Sequence, residues 1–216
     1  MNGRFDRQVP MIGEDGQQRI MSSRIGIAGC GGLGVDALTS LVQAGALDFV
    51  LCDGGFPEIP GLNTQFIYSP GDMRPKAAIA AEWALALNYS VMAQAHAEPV
   101  GPDNVRMFSG SAVVLDCTGD ESAGKVLEDW CREEGVPLIR GRCSGYIGSV
   151  DVCAGPKRYP VEESTDGAPK LGGIVAAVAG IMASEAVRMI VDPSSGGRRI
   201  GIDAVSWTVE SDGDAE

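Results

Sequence analysis

A glycine-rich turn, followed by one acidic residue, gives this sequence its clearest chemical signal. Gly29, Gly31 and Gly34 follow the pattern G-x-G-x-x-G directly after the β-branched run Arg24–Ala28. Small residues in such a turn let backbone N–H groups at the start of a helix approach a phosphate, and the helix dipole favours negative charge there. The next apolar run is followed by Asp53, where a carboxylate can bind ribose hydroxyls. These residues predict a nucleotide site and leave the identity of the nucleotide open.

The elements that must position these residues alternate between short apolar runs and helical segments. Strands are predicted at 24–28, 48–52, 112–116 and 137–139, and helices after the glycine turn, at 76–87 and at 121–134. This alternation predicts an α/β fold with a doubly wound, mostly parallel, Rossmann-like sheet. Longer strands at 146–154 and 199–209, on either side of an apolar helix at 172–190, predict antiparallel strands added at the C-terminal edge.

The same pattern predicts a single domain over residues 1–209 and an acidic, disordered tail over 210–216. The polar, proline-containing loop at 155–169 is expected to be a mobile segment over the site, because long connections without secondary structure often carry function.

The amino-acid composition and net charge argue against several kinds of partner and cofactor for this protein. The chain has 17 basic and 29 acidic residues and a net charge of −12, which disfavours nucleic acid and anionic membranes as partners. Its six cysteines form no C-x-x-C pair, and His96 is its one histidine, so zinc is not expected. The start of the chain lacks a signal-peptide core, and the apolar stretch at 171–183 is too short to span a bilayer. We therefore expect a cytoplasmic protein.

NAD is the default ligand of the glycine fingerprint, but the chain is short for a dehydrogenase with a substrate domain. A series of motifs spread over nearly the whole chain resembles the ThiF/MoeB/HesA family, the relatives of ubiquitin-activating enzymes: R-F-D-R-Q at 4–8, I-G-E-D-G-Q at 12–17, G-C-G-G-L-G at 29–34, R-P-K at 74–76, D-C-T at 116–118 and G-I-M-A-S-E-A at 180–186. The resemblance implies an adenylyltransferase, which converts ATP and a carboxylate into an acyl adenylate and pyrophosphate.

The resemblance also implies roles for individual residues. The nucleotide would be bound by Gly29, Gly31, Gly32, Gly34, Asp53, Asn63, Gln65 and Lys76. Lys76 would contact the ATP phosphates at the reacting centre, and Arg7 would reach the triphosphate of the partner's site across a homodimer interface. Without the resemblance, Lys76 would be interpreted as a solvated helix-start lysine and Arg7 as a surface charge.

Two departures from the family pattern concern charge. Thr64 stands where the family has a phosphate-binding arginine, so one positive charge is lost. The family's D-C-T-D becomes Asp116-Cys117-Thr118-Gly119-Asp120, which moves the carboxylate expected to orient Mg²⁺ to Asp120. The alternative role of Asp120 is to cap the following helix.

A third departure concerns sulfur chemistry. The zinc-binding cysteine pairs of the family and the reactive thiol of its loop are both absent. Transfer to a thiol would then involve a separate, downstream acceptor protein. The alternative thiols in this chain are Cys143 and Cys153, which are expected to be buried structural residues.

Arg140 and Arg142 are two residues apart after the apolar run at 137–139, so in extended geometry both side chains point to one face. At the carboxyl end of that strand they would bind an anionic group of the substrate. The alternative is that both arginines form ion pairs with carboxylates of the protein.

The substrate expected from these residues is a small carboxylate that bears a phosphate. One example is the guanylylpyridinol of iron-guanylylpyridinol cofactor biosynthesis, because a short chain without zinc is most similar to the small archaeal HcgE branch. The alternatives are the C-terminal glycine of a ubiquitin-like or sulfur-carrier protein, or a non-catalytic ATP-binding dimer partner.

Overall fold

The computed structural model describes residues 3–155, 159 and 167–212. Five α-helices occur in this part of the chain: α1 (Val9–Ser22, kinked at Gly13), α2 (Gly32–Ala44), α3 (Lys76–Leu87), α4 (Glu121–Glu134) and α5 (Gly172–Val191). Its strands are β1 (Arg24–Ala28), β2 (Asp48–Cys52), β3 (Met92–His96), β4 (Val113–Asp116), β5 (Leu138–Ser144), β6 (Ile147–Cys153), β7 (Arg198–Asp203) and β8 (Thr208–Ser211).

The strands form one sheet in the order β3-β2-β1-β4-β5-β6-β7-β8. The strands from β3 to β5 in this order are parallel to one another, and the pairs β5-β6, β6-β7 and β7-β8 are antiparallel. The predicted Rossmann-like fold with antiparallel strands at the C-terminal edge is therefore confirmed. Strand β1 lies between β2, which follows it in the chain, and β4, so the strand order reverses at β1. The crevice where such sheets bind ligands consequently lies at the carboxyl ends of β1 and β4.

Helices cover both faces of the sheet. Helices α2, α3 and α5 bury the larger apolar cluster on one face, while α4 and the 3₁₀ turn Val105–Phe108 bury a second cluster on the other. Helix α5 has 20 residues, and an 18-residue window within it has a mean hydropathy of 1.9, so by length and composition alone it could cross a bilayer and is longer than the apolar stretch 171–183 recognised in the sequence. In this fold α5 is a core helix, because its buried side chains pack against α2 and the sheet.

Strand boundaries differ from the sequence prediction at two places. Strand β5 extends to Ser144 rather than ending at Ile139, because β6 pairs with it along its whole length, whereas β4 pairs with it only as far as Arg140. The strand predicted at 199–209 is a hairpin, in which a turn at 204–207 separates β7 from β8.

The structure describes residues 210–212 of the predicted tail. Strand β8 includes Glu210 and Ser211, two residues of the predicted disordered tail. Residues 213–216 lie outside the described part of the chain, as do most residues of the loop predicted to be mobile.

Candidate functional site

Asp53 connects the two loops that border the crevice. It follows β2, and its Oδ2 accepts a hydrogen bond from the Cys30 N–H at 2.6 Å. Its Oδ1 accepts one from the Gly55 N–H, also at 2.6 Å. The carboxylate is thereby fixed between the glycine turn and the loop after β2. Each oxygen has a further lone pair, with which it can accept a hydrogen bond from a ribose hydroxyl.

Two close backbone contacts in the glycine turn require residues without a side chain. Gly29 has φ +90°, and a Cβ there would lie 2.7 Å from the carbonyl atoms of Cys117 at the end of β4. A Cβ on Gly34 would overlap the carbonyl oxygen of Gly29. Gly34 therefore lets the first turn of α2 lie against the loop, and its role is to shape the loop rather than to face a ligand.

Gly31 differs from these glycines because it faces open space. It is the N-cap residue of α2, no side chain caps that helix end, and a Cβ on Gly31 would meet no atom within 4 Å. The N–H groups that start a helix have no intrahelical partners and carry partial positive charge. The N-terminus of α2 is consequently open to an anion.

These residues border a pocket of about 490 Å³, a size within the usual range for small-molecule sites. Of the predicted ligand residues, the pocket is lined by Gly29, Gly31, Gly32, Asp53, Gln65, Lys76 and Asp120. Gly34, Asn63, Arg7, Arg140 and Arg142 are not among its lining residues. The structure thus brings most of the predicted nucleotide residues together from separate parts of the chain.

Lys76 is the first residue of α3, and its backbone N–H donates to the carbonyl of Gly55 at 3.0 Å. This bond attaches the start of α3 to the loop held by Asp53. Within the described part of the chain, no carboxylate is close enough to form an ion pair with the Lys76 ammonium. Its positive charge is therefore available to a ligand in the pocket.

Asp120 caps α4 and also lines the pocket. Its Oδ1 accepts hydrogen bonds from the Ala123 N–H at 2.7 Å and the Ser122 hydroxyl at 2.6 Å. These two bonds lower the pKa of Asp120 below its usual value, so the carboxylate is ionised at neutral pH. The helix-capping role considered for Asp120 is present. Its metal role stays a prediction, since the described residues contain no group of three or more metal-binding side chains.

The loop that carries Thr64 forms another wall of the pocket. A Cβ on Gly32 would lie 2.9 Å from the carbonyl oxygen of Thr64, so this loop crosses directly over the start of α2. Gln65 lines the pocket, whereas the side-chain amide of Asn63 donates to the carbonyl of Lys170 at 3.1 Å. Asn63 therefore attaches this loop to the segment before α5.

The structure does not place Arg140 and Arg142 at the crevice. They are 1% and 4% exposed, because β5 continues past both residues and their side chains are buried in the protein interior. Arg140 donates from Nε to Asp116 at 3.2 Å and from a terminal nitrogen to Glu128 at 3.0 Å. Arg142 also donates to Asp116, at 3.3 Å. The structure therefore shows the ion pairs considered as the alternative and does not support binding of a substrate anion.

Asp116 and Glu128 are the residues that the sequence reasoning missed. Asp116 Oδ1 accepts from the N–H and the hydroxyl of Thr118 at 3.1 Å and 2.7 Å, so it fixes the loop that ends at Asp120. Its Oδ2 accepts from both arginines. An aspartate at the end of an otherwise apolar strand was the available signal, because a buried carboxylate needs cationic partners.

The cysteines near the site are protonated at neutral pH. Burial raises the pKa of Cys52 to about 12 and that of Cys143 to about 11. Burial also raises the pKa of Cys30 and Cys117 well above the usual thiol value. A thiol needs to ionise to act as a nucleophile, so these four residues are structural.

Arg7 lies away from the nucleotide pocket of its own chain. It is exposed and lines a separate groove of about 860 Å³ between α1, α2 and α5. Within one chain Arg7 does not reach the site, and its predicted role across a dimer interface stays a prediction.

A Rossmann-like sheet with a ligand-sized pocket at its switch point defines a nucleotide-binding α/β domain. The chain matches the ThiF family over residues 5–211 and belongs to that family. The resemblance derived from the motifs is therefore confirmed.

Named relatives and solved structures agree with this membership. The chain is 30% identical to the SAMP-activating enzyme E1 of Haloferax volcanii, over 96% of this chain and 83% of that protein. It is 27% identical to the sulfur carrier protein ThiS adenylyltransferase of Escherichia coli, over 87% and 80% of the two chains. The structure of E. coli MccB with ATP has a TM-score of 0.84 over 98% of this chain and 72% of that one. At 17% identity this last likeness concerns the fold alone.

The Arg140 network gives a prediction about stability. Arg140→Ala leaves the buried Glu128 without its cation and removes one partner of Asp116, so we expect the free energy of unfolding to fall by about 3–5 kcal/mol. Urea denaturation followed by circular dichroism measures this change. Arg132→Ala, which removes an exposed ion pair on α4, is the control and should change stability little. A loss for Arg140→Ala no larger than for the control would contradict the role given to the network.

The glycine turn gives a prediction about binding. Gly31 has ordinary extended backbone angles (φ −73°, ψ −161°), so Gly31→Ala should keep the thermal midpoint while its methyl group blocks the approach of a phosphate. We expect nucleotide affinity to fall about tenfold or more in calorimetry, which corresponds to about 1.4 kcal/mol. Gly201→Ala, which also faces open space but lies on β7, should bind as the parent protein does. Equal affinity in the Gly31 and Gly201 variants would place the phosphates elsewhere.

Proposed function

We propose that the pocket binds ATP and transfers its adenylyl group to a substrate carboxylate, with release of pyrophosphate. The observation that carries this proposal is the convergence of three groups on one pocket: the open α2 N-terminus, the fixed carboxylate of Asp53 and the ammonium of Lys76, which has no ion-pair partner among the described residues. The chain is an adenylyltransferase by class, since its named relatives in the ThiF family are adenylyltransferases and activating enzymes.

Each group in the pocket has a distinct role in this reaction. Backbone N–H groups at Gly31 and Gly32 bind phosphate oxygens, and Asp53 accepts hydrogen bonds from the ribose. A carboxylate oxygen of the substrate attacks the α-phosphorus, and the bond to the bridging oxygen breaks as pyrophosphate leaves. Negative charge increases on the leaving group in the transition state, so the Lys76 ammonium stabilises that state more than it stabilises bound ATP.

Asp120 is the carboxylate proposed to hold Mg²⁺. Magnesium is usually bound through one or two carboxylates, with phosphate oxygens and water as its other ligands, so one aspartate at the pocket fits this ion. The ion neutralises phosphate charge when it is bound. The lowered pKa of Asp120 supports this proposal because the carboxylate stays ionised.

For the substrate we favour the C-terminal carboxylate of a sulfur-carrier or ubiquitin-like protein. Relatives that share at least four-fifths of their length with this chain are named for SAMP activation and for ThiS adenylylation. A small phosphate-bearing carboxylate such as guanylylpyridinol is less favoured, because Arg140 and Arg142, which suggested it, form ion pairs inside the protein. The protonated thiols of Cys30, Cys52, Cys117 and Cys143 support transfer to a separate acceptor.

Substitution of Lys76 separates an enzyme from a non-catalytic ATP-binding protein. With a sulfur-carrier protein as substrate, Lys76→Ala should lower kcat about 100-fold to 1,000-fold, as removal of one transition-state donor does elsewhere, and should change ATP affinity much less. A pyrophosphate-release assay measures kcat, and calorimetry measures the affinity. Lys125→Ala, which removes an exposed ion pair with Asp129, should leave both values unchanged.

Two outcomes of that experiment count against the proposal. Equal turnover of the Lys76 variant and the parent protein would remove Lys76 from the mechanism. Binding of NAD, with no binding of ATP, would contradict adenylation altogether.

Mixing two inactive variants tests the proposed homodimer. If Arg7 acts on the partner's site, a mixed dimer of Arg7→Ala and Lys76→Ala chains contains one site in which both residues are intact. We therefore expect partial recovery of pyrophosphate release after mixing. Mass spectrometry should first verify that mixed dimers form, and the absence of recovery in verified mixed dimers would show that Arg7 does not act across the interface.

A further inference from the structure

A second lysine lines the nucleotide pocket. Lys170 lies just before α5 and borders the same pocket as Lys76. Its backbone is held from two sides: it bridges to Gly145, whose N–H donates to Pro169, and its carbonyl accepts from the side-chain amide of Asn63 at 3.1 Å. These contacts fix the position of Lys170 relative to the pocket.

The lysine side chain has no ion-pair partner in the described part of the chain. The two carboxylates that line the same pocket, Asp53 and Asp120, accept hydrogen bonds from backbone N–H groups and, for Asp120, from the Ser122 hydroxyl. A half-buried lysine that lines a pocket and has no ion-pair partner among the described residues is suited to an anionic ligand.

Lys170 adjoins the position where a positive charge is missing. Thr64 replaces the phosphate-binding arginine implied by the family resemblance, and its neighbour Asn63 makes the hydrogen bond to Lys170. A Cβ on Gly32 would lie 2.9 Å both from Thr64 and from the Val175 side chain of α5. The Thr64 loop, the start of α2 and the start of α5 therefore meet at one wall of the pocket.

The balance of charged side chains in the pocket lining also points to Lys170 as a ligand-binding residue. The charged residues lining the pocket are Asp53, Asp120, Lys76 and Lys170. Without Lys170, two carboxylates would face one ammonium in a protein whose net charge is −12. Lys170 therefore balances the second carboxylate of the lining, which favours the binding of a triphosphate with its several negative charges.

We propose that Lys170 binds the phosphate chain of ATP and supplies the positive charge that is lost at Thr64. Lys76 and Lys170 then neutralise the triphosphate from two different segments of the chain. This inference rests on the proposed function, because it requires a nucleotide triphosphate as the ligand.

Calorimetric titration with Mg-ATP and with adenosine tests the proposal. Lys170→Gln keeps much of the side-chain length and removes the charge, so ATP affinity should fall about 10-fold to 100-fold while adenosine affinity stays the same. Lys170→Arg should bind ATP within a few-fold of the parent protein. Lys125→Gln, at an exposed lysine on α4, is the matched control and should bind ATP normally.

A second variant tests the replacement itself. Thr64→Arg introduced into the Lys170→Gln protein should recover most of the lost ATP affinity, because it returns a cation to the same wall of the pocket. A thermal melt of each variant verifies that the fold is retained.

Each remaining outcome overturns the inference. Unchanged ATP affinity in Lys170→Gln, with normal ATP binding by the parent protein, would reject the role of Lys170 and leave the proposed function intact. An effect confined to the KM of the carboxylate substrate would assign Lys170 to that substrate instead. Failure of the parent protein to bind ATP would reject the proposed function together with this inference.

Discussion

The buried carboxylate of Asp116 is the constraint on which the rest of this structure depends. Strand register places it opposite Arg140, Arg140 opposite Asp151, and Asp151 opposite Arg199. Charges of alternating sign thus cross four strands, from the parallel half of the sheet into the antiparallel half. A shift of register by one residue would separate the buried charges of Asp116, Arg140 and Asp151 from their partners, at a cost of several kcal/mol for each. The charged row therefore specifies how the two halves of the sheet join.

The same carboxylate organises the candidate site. Asp116 holds Thr118, and the Thr118 hydroxyl accepts from the N–H of Asp120 at 3.2 Å. On the other side, Arg140 connects Asp116 to Glu128 on α4, the helix that Asp120 caps. Two routes of hydrogen bonds, one through the loop and one through the helix, therefore fix Asp120. A site that must bring a carboxylate and a phosphate into contact benefits from such rigidity, because small displacements reduce the rate.

The glycine turn and Asp53 could be placed at the pocket from the sequence because each belongs to a local pattern. Both lie next to short apolar runs, where few neighbours determine the conformation. Lys76, by contrast, is identified only through the family resemblance. The burial of Arg140 could not be predicted in this way, since its partners are 24 and 12 residues distant along the chain. Polar residues after an apolar run resembled the end of a strand. In fact β5 continues, because carboxylates from β4 and α4 make burial of the arginine favourable.

The hairpin at the C-terminal edge was missed for a related reason. The segment 199–209 is rich in β-branched residues, and its turn at 204–207 contains no glycine or proline. The available signal was Asp203, whose Oδ1 accepts hydrogen bonds from the N–H groups of Val205 and Ser206 at the start of the turn. The turn instead ends at Trp207, which adopts a φ of +56°, a conformation that non-glycine residues seldom adopt. A single aspartate is a weaker turn signal than a glycine or proline pair, and the pairing of β7 with β8 shows where the strand divides.

The distribution of charge is compatible with binding of the proposed polyanionic ligand by a protein that is acidic overall. Net charge governs the potential at a distance, whereas binding depends on the groups that line the site. Here several basic residues outside the pocket are matched by carboxylates, as Arg24 is by Asp48 and Arg198 by Glu185. The two lysines at the pocket have no such partners in the described part of the chain. Together with the N-terminus of α2, they offset the carboxylates of Asp53 and Asp120 in the pocket lining. In the proposed complex, the phosphates are therefore attracted by groups that contact them rather than by the protein as a whole.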